Sequence, residues 1–196
     1  MYAMSEFQRK AAAQAMRRSA DAYLDIETTG LSAFFDYITV VGILRCDRGQ
    51  EELVQLVGEE VTRGNLITAL RDVKNIYTYN GARFDLRFIS NALGIDLATE
   101  YFHRDLMYDC WQCNLYGGFK SVERQLGITR RLAGVNGYEA VKLWWSYVKR
   151  GNERALATLL EYNKEDVVNL KALKEKLSSA GRLADLPDRY TYGPYR

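Results

Sequence analysis

The sequence predicts one α/β domain: a mixed five-stranded sheet, an antiparallel three-strand meander continued by parallel strands, flanked by helices and ending in a helical C-terminal part. Three observations predict it. Strand-like runs rich in β-branched residues come early, strands and helices then alternate, and the last third carries the hydrophobic period of helices. A chain of 196 residues that is 47% apolar can bury one substantial core. Its two prolines, Pro187 and Pro194, lie near the C-terminus, so no Pro-rich linker divides it.

Residues 1–20 are rich in Ala and Arg and read as a basic helical arm, residues 21–180 as the domain, and residues 181–196 as a basic aromatic tail. "AYLDIET", "DYITVVGILRC" and "EELVQLVG" read as the meander, with a hairpin turn at Arg48-Gly49-Gln50. "RGNLITALRDV" fits a short helix and "NIYTYN" a fourth strand. "ARFDLRFISNALG" fits an amphipathic helix closed by Gly94, with Asp85 one turn inside it. "YFHRDLMYD" is expected as the fifth strand, leading into "CWQCNLYGG". "KSVERQLG", "GYEAVKLWWSYVKRG" and the long segment capped by Asn152 complete the helical part.

Several function classes are removed by composition. The single histidine, His103, stands apart from any partner motif, which argues against zincin helices, multi-His hydrolase sites and Ser-His-Asp relays. A structural role is expected for it. Cys110 and Cys113 form a lone C-x-x-C in an apolar helical segment and read as ordinary thiols rather than zinc ligands. Three cysteines and no signal-like or membrane-spanning apolar run predict a reducing compartment, the cytoplasm, and no membrane partner. A net charge of +2 is too small to argue for a polyanion by itself.

Asp25 and Glu27 are the anomaly. Alternation along a strand turns both carboxylates to one face and Leu24 and Ile26 to the other. An isolated D-x-E is ordinarily an exposed strand end. Two like charges this close are otherwise costly unless a cation joins them, and all-oxygen ligands suit Mg²⁺ or Mn²⁺. Two further carboxylates strengthen the second reading. Asp85 follows a strand, Asn80 closing that strand and Gly81 supplying the turn. Tyr162 and Asp166 are four apart on a helix and share its half-buried face beside Leu159, Leu170 and Leu173, with Lys164 and Glu165 pointing away.

Together these segments resemble the DnaQ-like exonuclease superfamily, with its ribonuclease-H-like fold. The motifs are Asp25-Ile26-Glu27 followed by Thr-Thr-Gly-Leu, then Asn80 through Phe84-Asp85, then Tyr162 through Asp166. Tyr162 is similar to the tyrosine of the DEDDy subclass. Asp105-Leu106, Gly117-Gly118, "FKSVERQLGI" and "YNKEDVVNL" resemble the stand-alone YprB-like branch.

The resemblance implies that Asp25, Glu27, Asp85 and Asp166 hold two Mg²⁺ or Mn²⁺ ions roughly 4 Å apart. It implies 3′-5′ hydrolysis of single-stranded DNA or RNA from its 3′ end to nucleoside 5′-monophosphates, DNA favoured over RNA. Tyr162, whose phenol titrates near 10, would orient the attacking water rather than act as base. Thr28, Thr29, Gly30, Leu31, Asn80 and Phe84 would meet the terminal nucleotide, with Leu31 either wedging its base or packing in the core.

Arg83, Arg87, Lys120, Arg124, Arg130 and Arg131 are candidate phosphate contacts. Trp144 and Trp145, adjacent in sequence, read as helix packing more than as a stacking platform. Two other classes stay open on the sequence: a structure-selective endonuclease on the same metal site, and a non-catalytic nucleic-acid- or partner-binding module.

Overall fold

The computed structural model describes residues 19–181 and Leu183, so the expected arm and tail lie almost wholly outside the described residues. Five strands, β1 (Ala20–Thr28), β2 (Ile38–Asp47), β3 (Gln50–Val57), β4 (Val73–Thr78) and β5 (Phe102–Asp105), form one sheet in the order β3-β2-β1-β4-β5. The meander is antiparallel, and β4 and β5 run parallel to β1. The described helices are α1 (Arg63–Ala69), α2 (Asp85–Leu93), α3 (Leu97–Glu100), α4 (Leu106–Gln112), α5 (Phe119–Leu126), α6 (Gly137–Arg150) and α7 (Glu153–Ser179). The mixed sheet and its flanking helices are those of the ribonuclease-H-like fold.

Local chemistry sets the elements. Arg48 and Gly49 both have positive φ, 49° and 83°, the two-residue turn whose twist matches the strands it joins. Thr62, Asp96, Asn136 and Asn152 each accept a backbone N–H in the first turn of the helix they precede. Gly94 ends α2 in the left-handed conformation. The expected fifth strand is shorter than its sequence suggests: it stops at Asp105, whose carboxylate accepts from Met107 N at 3.1 Å and starts α4 at Leu106. The cap outcompetes continued pairing at the sheet's edge, and Asp109 becomes a buried helix residue held by the Arg104 fork at 2.8 and 3.1 Å.

The sheet is covered on both faces. Leu24 and Ile26 of β1 join Val41, Ile43, Ile76, Phe88 and Ile89 on one side, under α1 to α3. Tyr23 joins Tyr77, Leu106, Cys110, Val167, Leu170 and Leu173 on the other, under α4, α5 and α7. Val40 continues that second side against Trp144, Leu159 and Tyr162. Trp144 is therefore a packing residue, its indole N–H donating to Tyr37 Oη at 3.1 Å. His103 meets Thr78 Oγ1 at 2.9 Å, and burial lowers its pKa to about 4, so it is a neutral structural residue. Cys110 is buried, Cys113 is partly so, and both are free thiols. Among the described residues, no helix is long and apolar enough to cross a membrane.

One glycine decides how closely α7 approaches the sheet. A Cβ on Gly42 of β2 would lie 2.0 Å from Asn163 Oδ1 and 2.7 Å from its Cγ, so only glycine lets the helix seat there. Gly42→Ala is expected to cost about 1–3 kcal/mol in urea unfolding. Asn163→Ala in the same background should cost less than the two single losses added, because it vacates the contested space. An unchanged midpoint for Gly42→Ala would refute the close approach.

Candidate active site

The site forms where β1 parts from β4. Their pairing ends at Tyr23 and Tyr77, while β1 runs on to Thr28 along β2. The unpaired N–H of Ile26 is taken up by Asp85 Oδ1 at 3.1 Å. The crevice at the carboxyl ends of parallel strands is where α/β sheets collect ligands, and here it collects acids.

Asp85 is brought there by a turn. Asp105, fully buried at the end of β5, accepts from Asn80 N at 2.7 Å and Ala82 N at 3.1 Å. The expected roles of Asn80 and Gly81 are altered: Asn80 takes the left-handed conformation, φ 63°, whereas Gly81 is required because a Cβ would lie 2.3 Å from Thr78 Oγ1. Asp85 is the first residue of α2 rather than one turn inside it. Its carboxylate thus sits at the helix start, where exposed N–H groups favour negative charge.

From the opposite side, α7 lowers Tyr162, Asn163 and Asp166 onto β1. Tyr162 and Asp166 are buried at 7% and 6% exposure, deeper than the half-buried face expected. One carboxylate oxygen each of Asp25, Glu27 and Asp166 lies within 4.8 Å of the others. Asp85 stands close enough to Asp25 and Glu27 to raise both. Asn163 fixes the cluster: its amide donates to Asp25 Oδ2 at 3.1 Å, and its Oδ1 accepts from Gln55 Nε2 of β3 at 3.0 Å.

Electrostatics are correspondingly strained. Burial, then Asp166 and its neighbouring acids, hold Asp25 and Glu27 well above the usual carboxylate range. Burial pushes Asp85 up to about 7 despite backbone N–H donors. Asp166 reaches about 6, burial outweighing the guanidinium of Arg130 beside it. Burial and the acids also raise the Tyr162 phenol, so it keeps its proton. A compact, oxygen-only, acid-rich set short of countercharge matches a hard divalent cation.

The expected basic residues separate by place. Lys120 lies over the Tyr162 ring at 4.7 Å and hydrogen-bonds Val135 O, close enough to lower Glu27. Arg130 is buried in ion pairs with Glu123 at 2.6 Å and Asp166 at 2.5 Å, which corrects its reading as a phosphate contact. Glu165 does not point to solvent as expected. It accepts from Arg131 N at 2.5 Å and Leu132 N at 3.1 Å and ties the connection after α5 to α7.

Of the residues expected to meet a nucleotide, Leu31 and Phe84 share one cavity, and Thr28 to Gly30 belong to the turn that leads to it. Thr28 donates to Gly30 O at 2.5 Å, and Thr29 and Ser32 N both bind the Asp36 carboxylate, which also rules out a side chain at Gly30. Leu31 is 88% exposed, so core packing is excluded for it. Leu31 and Phe84 line a cavity of about 410 Å³ with Phe34, Phe88, Arg83 and Arg87.

Asn163 and Glu123 escaped the sequence reading of the site, and two residues stand in other roles than expected: Arg130, read as a phosphate contact, pairs with acids, and Asp105, read as a strand end, clamps a turn. Asn163 was detectable in principle, as a polar residue three before Asp166 on the same buried helix face. Arg130 carried no local signal for its pairing with the cluster, since Asp166 lies 36 residues further along the chain.

Comparison with known proteins bears on the fold. Among curated proteins, none matches the chain. A solved structure described as the apo form of the nuclease has a TM-score of 0.57 at 22% identity, over 88% of this chain and 80% of that one. Brucella melitensis NrnC with bound Mg²⁺ has a TM-score of 0.53 at 21% identity, and the same protein bound to pGG 0.51 at 22%, each over 84% of this chain and 76% of theirs. These likenesses concern the fold. The model of the RNase_H superfamily matches residues 22–178, from within the acidic strand to the last turn of α7, and the chain belongs to that superfamily.

Proposed function

We propose that the protein is a divalent-metal-dependent 3′-5′ exonuclease of the DEDDy type, close to the YprB-like branch, that releases nucleoside 5′-monophosphates from single-stranded nucleic acid, DNA before RNA. The observation that carries this reading is the convergence of Asp25, Glu27 and Asp166 oxygens within 4.8 Å, beside Asp85 and the buried Tyr162. NrnC, which shares the fold, has been solved with Mg²⁺ and with pGG, and this supports the same class of ligands here.

Asp25, Glu27, Asp85 and Asp166 would hold the metal, two Mg²⁺ or Mn²⁺ ions in this reading. When bound, the ions supply charge neutralisation at the phosphate and acidify water toward neutral pH. The chain's own residues do the positioning. Asn163 fixes the Asp25 carboxylate, and the Asp105 turn fixes Asp85. Tyr162, protonated and buried, is suited to hold the attacking water by a hydrogen bond and unsuited to remove its proton. Lys120, over that ring, can meet a phosphate oxygen. The cavity between Leu31 and Phe84 offers apolar walls to the terminal base, with Arg83 and Arg87 beside it for the backbone.

Three outcomes test this. A 5′-labelled single strand incubated with Mn²⁺ should give a one-nucleotide ladder shortening from the 3′ end, abolished by EDTA. Asp25→Ala should slow it roughly a thousandfold or more. Discrete internal cuts would favour an endonuclease instead. Tyr162→Phe should lose roughly ten- to a hundredfold in rate with Mn²⁺ affinity retained, and an unchanged rate would remove the water-orienting role.

The third outcome follows from the raised carboxylates. Asp85 at about 7 and Asp166 at about 6 bind protons in the folded state that the unfolded chain, near 4, releases. That stabilisation is full below the unfolded value and is lost as pH rises through the folded values. His103, lowered to about 4, acts in the opposite sense, but only below about pH 6.5. Between pH 6.5 and 8.5 in EDTA, Tm should therefore fall by roughly 2–4 °C. Mg²⁺ or Mn²⁺ should restore it most at the alkaline end. A metal-free Tm that rises over this window would contradict the cluster's electrostatics.

A further inference from the structure

Among the described residues, Arg130 is the one whose ion pair with the carboxylate cluster carries a fixed positive charge while it is anchored elsewhere. Its Nη2 lies 2.5 Å from Asp166 Oδ1. Its Nε and Nη2 also fork onto Glu123 at 2.8 and 2.6 Å, and both Glu123 and Arg130 are almost wholly inaccessible, their side chains 2% and 6% exposed. Glu123 is itself held by Asn169 Nδ2 at 2.7 Å, one helical turn beyond Asp166 on α7. The third guanidinium nitrogen, Nη1, is buried and makes no hydrogen bond among the described residues, with Glu165 Oε2 3.9 Å away.

We propose that Arg130 is the resident counter-cation of the site, neutralising Asp166 in the metal-free protein and competing with a divalent ion for that carboxylate. The proposal rests on the reading of Asp25, Glu27 and Asp166 as the groups that hold metal. Two features support it beyond mere proximity. A guanidinium stays charged at any working pH, so its field cannot be switched off by losing a proton. The Glu123 fork keeps it in place when Asp166 turns to another cation, so the like charge persists beside the metal and weakens its binding. Arg130 therefore sets the metal affinity, and Glu123 sets how much of Arg130's charge the site experiences.

The signs are opposite for the two partners, which a structural role could not produce. Mn²⁺ affinity of the full chain, measured by the electron paramagnetic resonance of free Mn²⁺ at pH 8 and low salt, is the readout. Arg130→Gln should bind Mn²⁺ at least about tenfold more tightly, because a unit charge a few ångströms away has been removed. Glu123→Gln, which leaves Arg130 charged and less neutralised, should bind several-fold more weakly. Arg130→Lys, which keeps the charge without the fork, should stay within about threefold of wild type. Equal or weaker binding by folded Arg130→Gln, or tighter binding by Glu123→Gln, overturns the proposal while leaving the metal site standing. The second variant retains the guanidinium and decides the matter if the first does not fold. Absence of Mn²⁺ binding by wild type and every variant would overturn the metal reading and this inference together.

Discussion

The mutual repulsion of Asp25, Glu27, Asp85 and Asp166 is the constraint to which the surrounding structure answers. Each is desolvated, and each makes the others harder to ionise. Left alone, such a group would drift apart or protonate. Instead the chain counters it with directed donors: the Ile26 N–H on Asp85, the Asn163 amide on Asp25 and the Arg130 guanidinium on Asp166. These contacts hold the geometry while offsetting only part of the charge, since among the described residues Asp25, Glu27 and Asp85 meet uncharged donors or none, and that is the condition in which a cluster can receive a cation.

The restraints are not local to the site. Asn163 is reached from Gln55 on β3, two strands away from β1, and its space is cleared by Gly42 on the strand between. Asp105 belongs to the far edge strand yet clamps the turn that delivers Asp85. Both halves of the sheet, antiparallel and parallel, are thus tied to the carboxylates through one hydrogen-bonded residue each.

Much of this was legible in the sequence because it follows from period and local chemistry. Alternation along β1 separates Asp25 and Glu27 from Leu24 and Ile26, and the clusters on the two faces divide them the same way. The four-residue spacing of Tyr162 and Asp166 put them on one face of α7, and Asn152 and Gly94 marked helix ends correctly. What could not be read depends on partners distant in sequence. Glu165 looks like a solvent residue until the backbone at 131 and 132 folds over it, and Arg130 looks like any surface arginine until Glu123 and Asp166 enclose it. Asp105 was visible as a strand end, but its pull on the following backbone, which turns "LMYD" from strand to helix, is a contest that propensity alone does not decide.

Tyr162, Asn163, Asp166 and Asn169 all ride on a single unbroken helix that runs from Glu153 to Ser179. The pitch of that helix works as a ruler: it spaces the phenol, the amide that grips Asp25, the acid and the amide that grips Glu123, with about 100° of rotation per residue. In loops that bear none of their partners, unlike the connection between α5 and α6 with its Arg130, chain length can drift with little consequence for the register of these groups. Along α7 between Asn152 and Asn169 it cannot, since one added or lost residue would swing the whole set around the helix axis and away from β1.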